Sequence, residues 1–107
     1  MSRRRSSGVS TGISIDAKVA ELSQSGYLAP LLYTWAIPHT DDAGRITGDP
    51  LQFKLAVCPG LPATVAEITA ALEQIAAVGL WTYHEDGGRP YFDIDLERWL
   101  DLTWRGR

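Results

Sequence analysis

Apolar residues recur at helical spacing after Thr64: Val65, Ile68, Leu72, Ile75 and Ala76 fall on one face. Thr64 stands at the start of this run, with Glu67 three residues later. That is the capping-box pattern, in which the Thr hydroxyl takes the N3 amide and the Glu side chain returns to the cap amide. The spacing predicts a helix over Thr64–Val78, ended by Gly79, where a left-handed cap favours a residue without Cβ. Leu80–His84 is rich in strand formers, Asp86-Gly87-Gly88 is a hairpin-turn signal, and Tyr91–Ile94 is the returning strand. Such a hairpin is marginal alone, so it must pack on the helices before it.

Upstream, Ile15–Leu22 reads as a short helix or an extended arm on the core. In Tyr27–Ile37, the residues Tyr27, Leu28, Leu31, Leu32, Trp35 and Ala36 follow helical spacing. Pro30 fits only a first turn, so this helix should start near Ala29, and Pro38 helps to end it. Ile46-Thr47 is a candidate short third strand. Asp49-Pro50 opens a helix running from Leu51 to about Val57, with Asp as N-cap and Pro at N1. Leu51, Leu55 and Cys58 share one face of it, with Phe53 and Val57 on a flank. Residues 95–101 look helical again, with Leu96, Trp99 and Leu100 as the apolar stripe. Trp35 and Trp81 are expected in the core.

The chain has 107 residues, which suggests a single domain over 15–107. Residues 1–14, rich in Ser, Gly and Arg, read as a disordered basic tail. One cysteine excludes an internal disulfide and fits a reducing compartment. The sequence holds no apolar run of about 18 residues, the length a membrane span needs, and no secretory h-region is expected. The net charge of −3 conceals an asymmetry: from Ile15 onward seven basic residues stand against thirteen acidic ones. A mildly acidic body is a poor match for a phosphate backbone.

The predicted class is α+β, mainly helical. A helix pair followed by a hairpin is the layout of a winged helix-turn-helix, here with a β-hairpin wing and a C-terminal helix. In that layout Thr64–Val78 is the candidate recognition helix and His84–Arg89 the wing tip.

The block Leu32-Tyr33-Thr34-Trp35-Ala36-Ile37-Pro38-His39-Thr40-Asp41-Asp42-Ala43-Gly44-Arg45, then Gly48-Asp49-Pro50, resembles a known family. So do Ala71-Leu72 through Val78-Gly79-Leu80, and Asp86-Gly87 followed by Tyr91. The family is the N-terminal winged-helix domain of phage and prophage replication initiation proteins, of the DnaD-like replisome-organiser type. Where its members usually carry His-Gln after the last strand, this chain has Arg98-Trp99. The resemblance implies a role at the start of DNA replication: binding double-stranded DNA, self-association, or docking of other replication proteins. It also implies a cytoplasmic setting, in a bacterial or phage-infected host cell.

The residues themselves give two openings. For DNA, the candidates are the arm Arg3, Arg4 and Arg5, with Arg45, Lys54, Thr69, Gln74 and Arg89. A base-reading helix normally offers Arg, Lys, Asn or Gln. On the face Ala66, Glu67, Thr69, Ala70, Glu73, Gln74, Ala77 only Gln74 qualifies well, with Thr69 as a lesser donor. The alternative is therefore a protein-interaction or oligomerisation module without DNA contact, for which Glu73, Trp99 and Trp104 are the candidate interface residues. His39 with Asp41 and Asp42 lacks the convergent ligands a metal needs. Cys58 on an apolar face reads as a small buried hydrophobe. The expectation is a non-enzyme without metal or cofactor.

Overall fold

The computed structural model describes residues 13, 16–24 and 26–96. Of the expected tail only Ile13 is among them, and it packs partly buried against the core. The expected helix 95–101 lies outside the described residues beyond Leu96.

Helix formation follows local chemistry. The helix α1 (Ala17–Ser23) is capped by Asp16, whose carboxylate accepts from the Lys18 and Val19 amides. The second, α2 (Leu28–Ala36), buries Ala29, Leu32, Tyr33 and Ala36 and passes into a 3-10 turn at Ile37–His39. The strand β1 (Arg45–Thr47) leads into α3 (Pro50–Val57), where Asp49 Oδ1 accepts from the Leu51 and Gln52 amides at 2.9 and 3.2 Å. The helix α4 (Val65–Ala77) opens on the complete capping box. Thr64 Oγ1 accepts from the Glu67 amide at 3.1 Å, and Glu67 Oε1 accepts from the Thr64 amide at 2.8 Å. It closes through Val78 and Gly79, the latter at φ 83°.

The strands β2 (Thr82–Asp86) and β3 (Arg89–Asp93) form the hairpin. Gly87 and Gly88 both take positive φ, 58° and 82°, as a tight turn matched to strand twist requires. β3 is central in an antiparallel sheet of order β1-β3-β2, with Ile46 and Tyr83 both opposite Phe92. The β1 edge is fixed by the turn before it. Asp41 Oδ1 accepts from the Ala43 and Arg45 amides, and Ile94 donates to the Gly44 carbonyl at 2.7 Å. A Cβ at Gly44 would overlap the Ile94 carbonyl oxygen, so glycine is required there by contact as well as by its φ of 84°.

Trp81, between α4 and β2, joins the layers. Its ring stacks on Phe92 at 4.2 Å and meets Tyr33 and Phe53 edge-on at 5.7 and 6.0 Å. Its Nε1 donates to the Leu72 carbonyl of α4 at 3.3 Å, and Tyr33 Oη donates to the Leu80 carbonyl at 3.4 Å. Both buried polar tips are thereby satisfied.

Three packing expectations need correction. Trp35 is 41% exposed, because the buried stripe of α2 runs through Ala29, Leu32, Tyr33 and Ala36 and leaves position 35 on its far edge. Val65 is exposed because the buried face of α4 centres on Ile68 and Ile75 and turns toward Ala71. On α3 the flank is the buried side. Phe53 and Val57, one turn apart, are buried, while Leu51 and Leu55 are 52% and 64% exposed. Cys58 is buried as expected, but it caps α3 in a non-helical conformation, so its burial does not extend the face of Leu51 and Leu55.

The burial of that flank of α3 is directly measurable. Phe53→Ala should cost about 3–5 kcal/mol by opening a cavity beside Trp81, whereas Leu55→Ala should stay within about 0.5 kcal/mol. Urea denaturation of the two variants separates them, and equal losses would place Leu55 in the core.

Candidate nucleic-acid interface

Strand alternation divides the hairpin into two chemically different faces. The inner face carries Tyr83 and Phe92. The outer face carries Thr82, His84 and Asp86 from β2, Arg89, Tyr91 and Asp93 from β3, and Arg45 and Thr47 from β1. Tyr91 is central there. The Arg45 guanidinium carbon lies 5.2 Å from its ring centre, and the His84 ring stacks on it at 5.2 Å with 23° between planes. Arg45 and Arg89 border one open hollow of about 680 Å³ together with Asp41, Asp49, Gln52 and Tyr91. Two cations and three carboxylates, Asp41, Asp49 and Asp86, therefore line the same hollow, with Arg45 and Arg89 toward opposite ends of β3.

The remaining DNA candidates do not join them. Lys54 is half-buried on α3, where its charge acts on Cys58 and Glu67. Thr69 and Gln74, five residues apart, lie about 140° apart around α4. Thr69 Oγ1 donates to the Val65 carbonyl at 2.8 Å and lines a groove toward the sheet. Gln74 borders a different hollow, against Glu21, Leu22 and Gln24 of the α1 region. The expected solvent face of α4 is present, with Ala66, Glu67, Ala70, Glu73, Gln74 and Ala77 exposed and Thr69 half-exposed, and it carries no cation. Arg3, Arg4, Arg5, Trp99 and Trp104 lie outside the described residues.

The groove itself was not legible as a site. It encloses about 320 Å³ between α4 and the inner face of the hairpin, walled by Pro50, Leu72, Ala76, Tyr83 and Phe92, with Thr69 and Glu73 at its polar edge. Tyr83 is 50% exposed and is held edge-on against Phe92 at 5.6 Å. The signal was the alternation Tyr83-His84, which sends one ring to each face of the hairpin. The hairpin's second aromatic ladder, His84 on Tyr91, follows from their direct pairing across β2 and β3.

Electrostatics sharpen the contrast. Over residues 13–96 four basic side chains stand against eleven acidic ones, a balance of −7, and the other six arginines lie in 1–12 and 97–107. Among the described residues no cluster of His, Cys, Asp or Glu is arranged to hold a metal ion. No helix among them is long and apolar enough to cross a membrane. Burial pushes the Cys58 thiol up, with Lys54 opposing, so near neutral pH it stays protonated and inert. No family model matches the chain, nor does any curated protein or solved structure.

Glu67 is held below the ordinary carboxylate range, first by the Thr64 amide and then by the Thr64 side chain. Its folded value is depressed, so its capping contribution is present above the ordinary carboxylate range and is lost as pH falls through the folded value. The Tm difference between the native chain and Glu67→Ala should be full at pH 6–7 and shrink toward zero in acid. A difference independent of pH would remove the carboxylate from the cap.

Proposed function

We propose that the chain is a winged-helix protein of the phage replication-initiator kind that works on double-stranded DNA through its arginines rather than through the exposed face of α4. The element order supports the winged-helix reading: α2, β1, then the pair α3–α4, then a hairpin whose second strand lies central between β1 and β2. The observation that carries the DNA reading is that Arg45 and Arg89 share the outer face of the wing and border one open hollow, in company with Asp41, Asp49 and Asp86. Six further arginines in the two terminal stretches lend it weight. In this reading α4 packs the core and orients the wing, and phosphate contact falls to the wing and the arm Arg3-Arg4-Arg5. Phosphate contacts of this kind position a protein without reading sequence.

A second reading has its own observation. The cation-free face of α4 on a body of −7 suits a protein partner better than a groove of DNA. In that reading the chain docks or assembles replication proteins, or a second copy, without holding DNA.

Fluorescence anisotropy with a labelled random-sequence duplex, titrated across salt, decides between them. Each phosphate contact contributes about −0.9 to the slope of log K against log salt. Arg45→Ala with Arg89→Ala should therefore make the slope shallower by roughly 1.8, and replacing Arg3, Arg4 and Arg5 by roughly 2.7. Unchanged slopes would take these residues out of the interface, and no binding at low salt would leave the interaction module.

A further inference from the structure

We infer that the groove between α4 and the inner face of the hairpin is a receptor for an arginine side chain presented by a protein partner. This goes beyond the DNA reading and does not rest on it. Among the described residues Glu73 is the only charged group lining the groove, and it makes no hydrogen bond or ion pair with any of them. Thr69 donates its hydroxyl hydrogen to the Val65 carbonyl, so toward the groove that oxygen can only accept. The third feature is the half-exposed aromatic side chain of Tyr83, whose ring meets that of Phe92 in an edge contact.

A carboxylate, an accepting hydroxyl and an aromatic face all favour a cationic donor and disfavour an anion. The apolar remainder of the wall, Pro50, Leu72 and Ala76, suits the aliphatic stem of a long basic side chain. Arginine fits better than lysine because its planar head can stack on the ring while its fork meets the carboxylate. Glu85, the next residue on the Tyr83 face of β2, extends the same negative sign toward the wing tip. A phosphate backbone entering here would meet Glu73 and Glu85 with no cation among the described lining residues, which sets the groove apart from the Arg45–Arg89 side of the hairpin.

The test uses the full chain labelled with 15N and two pentapeptides, acetyl-Ala-Leu-Arg-Leu-Ala-amide and the same peptide with citrulline for arginine. The arginine peptide should shift the amides of Thr69, Glu73 and Tyr83 saturably. The citrulline peptide should bind about tenfold more weakly, as expected for losing a charge-assisted hydrogen bond. Glu73→Gln and Tyr83→Leu, both at exposed positions, should each weaken the arginine peptide while the rest of the spectrum stays native. Glu73→Gln should also leave duplex affinity unchanged, so failure of the DNA reading and failure of this one are separately visible. Absent or scattered shifts, equal binding of the citrulline peptide, or a short duplex shifting these same amides would each overturn the proposal.

Discussion

Trp81 is the contact on which the rest of the structure depends. It follows the C-cap of α4 and precedes β2, so it sits at the joint between helical layer and sheet. From there one ring reaches α2 through Tyr33, α3 through Phe53, α4 through the Leu72 carbonyl and β3 through Phe92. A small domain has few residues with which to tie four elements together, and a large aromatic with one polar tip can do it from one position. The helix pair and the hairpin are therefore held at a fixed angle by a shared ring rather than by separate cores.

That rigidity gives the two faces of the hairpin their separate characters. Phe92 and Tyr91 are neighbours in sequence, yet one packs on Trp81 and the other faces outward between Arg45 and His84. The outer face combines Arg45 and Arg89 with carboxylates around Tyr91, and the inner face, opposite α4, sets Glu73 and the Thr69 hydroxyl near Tyr83. Because β2 and β3 are held in register by the Gly87-Gly88 turn, the two chemistries cannot mix.

Much of this was legible in the residues. The capping box at Thr64 and Glu67, the Asp49-Pro50 start, the Gly79 stop and the glycine turn each rest on backbone chemistry confined to a few positions, and each formed as expected. The packing faces of α2 and α3 were less legible. Both helices are apolar on several sides, and helical spacing alone does not say which side meets a core made by residues far along the chain. Tyr33 and Phe53 face inward because Trp81 lies there, and that partner is more than 25 positions away from either. Within the block from Leu32 to Arg45, Tyr33 packs the core, Asp41 builds a turn and Gly44 admits the Ile94 backbone. The site was the least legible part. Arg45 and Arg89 are far apart in sequence and come to share one face and one hollow only through the β1–β3 pairing, and the groove appears only once α4 and the hairpin are set side by side.

The position of β2 at the sheet's edge has a colloidal consequence. All five of its residues are exposed, and its outer side presents backbone donors and acceptors that a neighbouring molecule could extend into a longer sheet. The strand is short, and it ends on the adjacent carboxylates Glu85 and Asp86. Two copies approaching edge to edge in parallel would set Glu85 beside Glu85 and Asp86 beside Asp86, whereas an antiparallel approach sets these carboxylates opposite Tyr83 and Thr82. The two carboxylates at the end of β2 thus oppose parallel stacking of this edge, and the brevity of the strand limits what an antiparallel neighbour can gain from it.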